Sequence, residues 1–524
     1  MNRRELIIAT SAIALAGPAR GICANLPSQI EEITLADITA ALADGRLTSQ
    51  ALTQTYIDRI EALNRRGPQL GAVLEVNPHA LEIAIALDTE YRSKGPRGPL
   101  HGVPILVKDN VETSDRMMTT AGSLSLAGWY APADAPLVAR LRAAGAVLLG
   151  KTNMSEWANF RSTHAVSGWS ARGGQTRNPY ALNRTPSGSS SGSAAAVAAN
   201  LCAVAVGTET DGSIVSPASI NGIVGIKPTV GLVSRGGIIP IAHSQDTAGP
   251  LARTVRDAAL LLSVMAGRDS ADAASVAVGE RFEADYLRFL DPDGLRGARL
   301  GIARRFFADN TPLNGFLDQW VATLKRAGAV VVDSAELPVH DTAAAAEQTV
   351  LLYEFKSDLN HYLGRLPTGF AVRSLADVIR FNDAHSTAEL PLFSQELLHQ
   401  AEAKGELSEA EYRHARALCL KATRQEGIDA VLAKHTLDAI VTFTSGPAWL
   451  IDSVNGDFDT GGCSSPAAVA GYPHITVPAG LYRGLPIGLS FFGTAFSEGK
   501  LLRLACGFEH VANARVAPQF LKTL

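Results

Sequence analysis

Three stretches of this chain carry an amine and hydroxyls in settings where they could react with one another. Lys108 closes the apolar run Gly102-Val103-Pro104-Ile105-Leu106-Val107-Lys108. A serine cluster follows at Ser187-Gly188-Ser189-Ser190-Ser191-Gly192-Ser193, and a third station is Gly207-Thr208-Glu209-Thr210-Asp211-Gly212-Ser213. A serine hydroxyl is a weak nucleophile until a neighbouring base takes its proton. A lysine at a strand end and two serines in glycine-permitted turns are the material for a Ser–Ser–Lys relay, which needs no histidine. Free lysine, with a pKa of about 10.4, is almost wholly protonated at neutral pH and useless as a base. Burial in an apolar wall lowers that value by several units, and Ile105, Leu106 and Val107 lead directly into Lys108.

These stations need a scaffold. Residues 103–107 form a short apolar run that suits a buried strand. Residues 136–145 read as a helix with proline in its first turn, and residues 146–149 as the next strand. Residues 48–63 place Leu52, Tyr56, Ile60 and Leu63 at helical spacing, and Gly67-Pro68 ends that helix. Residues 194–199 are strong helix formers, so residues 189–193 are expected in a loop that opens onto a helix N-terminus. Residues 201–206 read as a strand entering the turn that carries Ser213. Strand, helix, strand at this spacing predicts a layered α/β core. Residues 282–434 are more charged and mainly helical in pattern, with a strand expected near 298–303; they read as a lid or substrate wall. A last core stretch starts at residue 439 and continues through 471–480 and 484–489.

The chain has 524 residues, of which 46% are hydrophobic and 19% charged. That composition belongs to a globular protein, not to a disordered or collagenous one, and the length is enough to enclose a dry site. With 47 basic and 51 acidic residues the net charge is −4, which gives no reason to expect a nucleic-acid partner. Residues 1–24 read as an export signal: basic Arg3-Arg4, apolar residues 6–16, then Ile22-Cys23-Ala24 before a cut. The arginine pair resembles a twin-arginine signal, which predicts a periplasmic or secreted enzyme with residues 25–524 as one domain. The apolar run is short for a membrane span. Five cysteines, Cys23, Cys202, Cys419, Cys463 and Cys506, show no zinc-ligand spacing. Four would remain after cleavage, so a disulfide is open, with Cys202 and Cys506 read as inert core residues.

Several motifs then occur in a particular order: Gly-Val-Pro-x-x-Val-Lys-Asp at 102–109, Gly-Lys-Thr-Asn at 150–153, Pro-x-Gly-Ser-Ser at 186–190, the glycine-serine turn at 207–213, Gly-Ile-Lys-Pro-Thr at 225–229, Asp-Thr-Ala-Gly-Pro at 246–250 and Gly-Leu-Pro-Ile-Gly-Leu at 484–489. In these the chain resembles the amidase signature family, and in residues 208–215, 230–235 and Gly462-Cys463-Ser464-Ser465 it resembles most nearly the secreted bacterial peptide amidases. The resemblance implies an α/β fold, a single large α/β/α domain around a mixed β-sheet, and hydrolysis of carboxamides. It implies Ser213 as nucleophile, Ser189 as bridging serine after a cis peptide at Gly188–Ser189, and Lys108 as terminal base. Two residues depart from the commoner pattern: Asp211 and Ser191 stand where glycine is usual. Val215 stands where the transamidosome subunits that use glutamine carry arginine.

The chemistry fits those roles. Neutral Lys108 takes a proton from Ser189, and Ser189 takes one from Ser213 as it attacks; the same chain returns a proton to departing ammonia. Backbone N–H groups of Thr210, Asp211, Gly212 and Ser213 can converge on the developing oxyanion, and losing one such donor typically costs about 3–4 kcal/mol of barrier. No metal and no organic cofactor is called for. Asp109, Asp246 and Lys227 read as structural polar groups. Ser190 and Ser193 read as helix caps or loop supports, and Trp157 and Phe160 as cleft lining or core. Competing motifs are weaker. Residues 188–192 satisfy G-x-S-x-G, but Asn183-Arg184-Thr185-Pro186 precedes them where that elbow needs an apolar strand. Ser497 and Lys500 fit S-x-x-K without the companion motifs, and the glycines at 207 and 212 lack the lysine of a phosphate loop. The reaction the resemblance implies is hydrolysis of a primary carboxamide, most nearly the C-terminal amide of a peptide. The alternatives are a general amidase for small or fatty acyl amides, a conventional esterase using Ser190 and a histidine, and a non-catalytic binding protein on the same fold.

Overall fold

The computed structural model describes residues 30–307, 310–338 and 341–524; the expected export segment 1–24 lies outside them. Thirteen strands are seen among the described residues: β1 Val73–Val76, β2 Pro104–Lys108, β3 Val147–Thr152, β4 Trp169–Ser170, β5 Gly174–Gln175, β6 Val204–Glu209, β7 Val224–Lys227, β8 Thr247–Ala252, β9 Arg299–Ile302, β10 Val330–Val332, β11 Ala439–Phe443, β12 His474–Tyr482 and β13 Leu485–Phe492. Eleven of them form one sheet in the order β1-β3-β2-β6-β8-β7-β12-β13-β11-β9-β10, and β4 and β5 pair separately. The sheet is mixed. β3, β2 and β6 run parallel, as do β11, β9 and β10, and the strands between them alternate in direction.

The central strands β2, β3, β6, β7, β8 and β13 are buried at every residue. Strands covered on both faces carry continuous apolar runs, not an alternation, and that is why 103–107 and 146–149 are legible from sequence. The covering helices include Ser49–Arg59, Pro136–Ala143, Ser191–Ala198, Val255–Met265 and Glu498–Ala512.

Two boundaries differ from expectation. The helix after the serine cluster begins at Ser191, so Ser191 and Ser193 lie inside it. The following strand runs from Val204 to Glu209 instead of 201–206. Asn200, at φ +56°, turns the chain out of the helix, and the Leu201 N–H closes on the Ala196 carbonyl. Residues 201–203 are thus a buried turn, which hydropathy does not distinguish from strand.

Part of the segment 282–434 belongs to the main sheet, because β9 pairs with β11 and β10 with β9. The rest is helical. Its long helix Asp341–Gly364 packs Leu352, Phe355, Leu359 and Leu363 into a second apolar cluster with Met154, Trp157, Phe160, Ile239 and Ile241. Phe160 meets Phe355 edge-on at 5.2 Å, so Trp157 and Phe160 are core residues. Below them, fully buried Arg161 pairs with Glu156 and donates to the Glu389 carbonyl at 2.6 Å, joining this layer to the loops that follow β3.

Candidate active site

The end of β2 delivers Lys108 into a pocket of hydroxyls. Its Nζ lies 2.7 Å from Ser189 Oγ, 3.0 Å from Ser190 Oγ, and 2.9 and 3.1 Å from the Thr208 hydroxyl and carbonyl. Lys108, Ser189 and Ser190 have no exposed surface. Burial lowers the Lys108 pKa to about 7, against the opposing pull of Glu209 and Asp246. The partners are not equivalent. Ser190 gives its own proton to the Thr208 carbonyl, 3.0 Å away, and so offers Lys108 only a lone pair. Thr208 Oγ1 also receives the Asn110 amide at 3.0 Å. Ser189 has no partner for its hydroxyl other than Lys108 among the described residues. It is therefore the hydroxyl free to donate to a neutral amine.

Small residues make this approach possible. A Cβ on Gly207 would fall 2.8 Å from Ser190 Oγ, and one on Gly188 would fall 2.1 Å from Ser155 Oγ. The Gly188–Ser189 peptide is cis. Ser190 occupies the N-cap position of helix Ser191–Ala198, but its side chain makes no cap bond. Ser193 bonds instead to the Val206 carbonyl at 3.0 Å and to Thr152. Of the two readings for these serines, helix cap or loop support, the second fits: Ser190 holds the Thr208 backbone beside the lysine, and Ser193 ties the helix to the sheet.

The turn after β6 brings up Ser213. The Ser190 N–H donates to the Ser213 carbonyl at 3.2 Å and holds the two loops together. Ser213 is 7% exposed, unlike the fully enclosed Ser189, and no hydrogen bond engages its hydroxyl among the described residues. The backbone N–H groups of Thr210, Asp211, Gly212 and Ser213 likewise find no acceptor there. Those of Ile214 and Val215 are captured by the buried Glu209 carboxylate, at 2.7 and 3.0 Å. Four successive unpaired donors at an enclosed turn are unusual in a folded chain. Unpaired backbone donors of this kind are what a developing oxyanion needs. Gly212 adopts φ +78°, and a Cβ there would meet Ser464 Oγ at 2.9 Å.

The residues read as structural hold this frame. Asp109 accepts from the Thr120 hydroxyl and the Gly122 N–H and pairs with Arg172 at 2.8 Å. Asp246 accepts the Thr210 hydroxyl at 2.6 Å and the N–H groups of Ile241 and Ala242. Lys227 bonds the Pro228 carbonyl at 3.1 Å. Burial lowers its pKa to about 8, and Glu209 is the nearest opposing charge. Sequence reasoning gave Thr208, Asn110, Glu209 and Gln245 no part. The one available signal was Glu209, a carboxylate closing an otherwise apolar strand.

A cleft of about 440 Å³ opens beside the turn. Thr208, Thr210 and Asp246 line one side, Ile238 to Ile241 the floor, and Asp358, His361 and Tyr362 of helix Asp341–Gly364, with Arg365 just beyond it, the far wall. Among the described residues, His243, Glu354 and Asp358 bring metal-ligand types together at its rim, but their atoms are committed. His243 Nδ1 faces Asp358 at 2.9 Å and Nε2 faces Glu354 at 3.6 Å. Glu354 also accepts the Tyr412 hydroxyl and the Ser244 N–H. Burial works against a charged ring, but Asp358 and Glu354 outweigh it and raise the His243 pKa. The cluster is a hydrogen-bonded clasp between this loop and the helical wall.

The other motif candidates lie elsewhere. Lys500 pairs with Asp438 at the surface, and Ser497 bonds the Thr494 carbonyl. Cys202, Cys419, Cys463 and Cys506 are free thiols; the first three are buried and Cys506 is half-buried. No described helix is long and apolar enough to cross a membrane.

A mixed sheet between helix layers, with a buried lysine among serines at the strand ends, is the architecture of the amidase signature hydrolases. The chain belongs to that family: the profile described as Amidase matches residues 51–502. It is an amidase, a hydrolase of amide C–N bonds. The structure of the native peptide amidase from Stenotrophomonas maltophilia is 55% identical, covers 93% of this chain and 99% of its own, and superposes with a TM-score of 0.89. A peptide amidase PAM structure in complex with the competitive inhibitor chymostatin is 54% identical, covers 94% and 100%, and has a TM-score of 0.91. The Arabidopsis thaliana protein called "Probable amidase" is 43% identical over 98% of this chain and 97% of its own length.

Proposed function

We propose that this amidase hydrolyses primary carboxamides through Lys108, Ser189 and Ser213, releasing ammonia, and that its substrate is the C-terminal amide of peptides. The observation that carries the mechanism is the Lys108–Ser189 bond of 2.7 Å, wholly buried, beside a turn of four unpaired N–H donors. Neutral Lys108 accepts the Ser189 proton, and Ser189 accepts the Ser213 proton. Ser213 Oγ bonds to the amide carbon, and the carbonyl electrons move onto oxygen beneath the N–H groups of Thr210, Asp211, Gly212 and Ser213. Collapse breaks the C–N bond, the relay protonates the nitrogen, and ammonia leaves an acyl-Ser213. Water then attacks by the same route and frees the carboxylic acid. The Ser189-to-Ser213 leg tightens in the substrate complex, as catalytic hydrogen bonds commonly do.

Peptide substrates are favoured by the cleft, whose isoleucine floor and charged rim suit a side chain plus a hydrogen-bonding backbone better than an alkyl chain. The likeness to peptide amidases supports the same choice. Ammonia release from peptide amides, free glutamine, fatty amides and small amides is the test. Peptide amides should turn over fastest; glutamine equal or faster would overturn the reading. Export rests on the basic and apolar leader alone, and fractionation of the producing cell checks it.

A further inference from the structure

We infer that Gln245 and Glu347 are positioning residues that fix the peptide plane between Thr210 and Asp211 and so aim the Asp211 N–H at the oxyanion. The inference rests on the proposed role of Ser213 and its turn. A trans peptide is planar, with its C=O and N–H pointing opposite ways. Holding the Thr210 carbonyl therefore sets the direction of the Asp211 N–H. Gln245 Nε2 donates to that carbonyl at 3.3 Å and to Glu347 Oε1 at 3.0 Å.

The Gln245 side chain is 1% exposed, and its own Oε1 is buried without a partner. An amide nitrogen has two N–H groups, and here both acceptors lie on its side. Turning the amide over would set its oxygen against two other oxygens, so the arrangement has one sense. Glu347 is supplied by helix Asp341–Gly364, the cleft wall, and reaches the turn from outside the sheet. Burial, and then the neighbouring Asp211 carboxyl, raise its pKa well above the usual value. Its Oε1 is the acceptor that holds the second N–H of the Gln245 amide. Thr210 is held a second time through its hydroxyl on Asp246. That bond fixes the side chain and leaves the peptide plane free to rotate. A flipped plane would present the Thr210 carbonyl oxygen where the oxyanion forms. Losing one oxyanion donor typically lowers turnover by about 10²–10³-fold, so a partly flipped population loses less.

The test uses the full chain with Gln245→Leu, Glu347→Leu and Glu347→Gln. Acylation of Ser213 is read as the p-nitrophenol burst from p-nitrophenyl acetate, with Ser213→Ala as the zero. Kinetics of ammonia release from a peptide amide and the thermal midpoint are measured alongside. Gln245→Leu and Glu347→Leu should slow both the burst and kcat by about 10–100-fold, with KM little changed. Glu347→Gln, which keeps one donor and one acceptor, should recover most of the rate lost in Glu347→Leu. Wild-type burst rates in both leucine variants, or equal losses in Glu347→Gln and Glu347→Leu, would overturn the inference. Should Gln245→Leu not fold, the Glu347 pair decides alone. A burst that survives in Ser213→Ala overturns the Ser213 reading and this inference with it. A burst lost in Ser213→Ala but unchanged in the leucine variants overturns the inference only.

Discussion

Lys108 and Lys151 occupy adjacent parallel strands, β2 and β3, one residue apart in register, since Val107 pairs with Lys151 and Lys108 with Thr152. Neither has exposed surface. Burial depresses both, Lys108 to about 7 and Lys151 to about 8. What separates them is the company each keeps. Lys151 donates to the Val111 carbonyl and to Thr119, with the Asp109 carboxyl as its nearest countercharge. A carbonyl oxygen has no proton to hand over, and a nearby carboxylate favours the ammonium. Lys108 faces three hydroxyls, one of which, Ser189, has no other partner for its proton among the described residues and can give it to the amine. Burial makes a lysine titratable near neutral pH; the protons of its neighbours decide whether it becomes a base or a strut.

The largest expected contrast comes from removing each amine. Lys108→Met should lower ammonia-release kcat by about 10³-fold or more, as loss of a relay member does, without lowering the thermal midpoint. Lys151→Met should take the donor from the buried Val111 carbonyl and weaken the positive charge near Asp109, destabilising the fold by about 1–3 kcal/mol, read by urea melts. If Lys151→Met abolished turnover at wild-type stability, the division between base and strut would fail.

The pH profile sharpens the same contrast. The base must be neutral, so kcat/KM should rise with pH along an acid limb centred near 7, the folded Lys108 value. The linkage to stability has a defined sign. Between about 7 and 10.5 the unfolded chain binds the proton and the folded chain does not, so the Lys108 penalty shrinks as pH rises through that window. Lys108→Met should therefore gain most over wild type below pH 7 and nothing above 10.5; a gain that grows with pH would contradict the assignment.

Thr208→Val tests the hydroxyl partners. It removes an acceptor that favours the charged amine, so the acid limb should move to lower pH, by a few tenths to about one unit. A move upward would mean the hydroxyl supports the neutral form.

The smallest effect belongs to the wall. The His243 clasp is half-exposed, and its contribution is about 1 kcal/mol or less. Because the folded His243 pKa is raised, that contribution is complete below the ordinary value of 6.5 and disappears as pH climbs through the folded one. His243→Ala should therefore be less stable than wild type only on the acid side, as thermal midpoints across pH would show.

Much of this site was legible in advance, for a local reason. Lys108 ends an apolar strand, Ser189 and Ser213 sit among glycines, and the motifs occur in order; these are properties of short segments. The covered strands β2 and β3 were readable because a double-sided core demands continuous apolar runs. The turn hidden in residues 201–203 was not, because burial is all that hydropathy reports. For Ser190 the sequence left cap and loop support both open, and only Thr208, eighteen residues away, decides where its proton goes.

The linear chain by itself determined the α/β class, the family, and which residues could form a relay, since residue type and spacing carry that information. The tertiary structure alone decided which buried lysine meets a serine hydroxyl with a proton to give, that Glu209 secures the turn from behind, and that a wall helix reaches it through Gln245. Those outcomes depend on contacts between segments far apart along the chain, and proton ownership is settled by distances of a few ångströms that no spacing in sequence encodes.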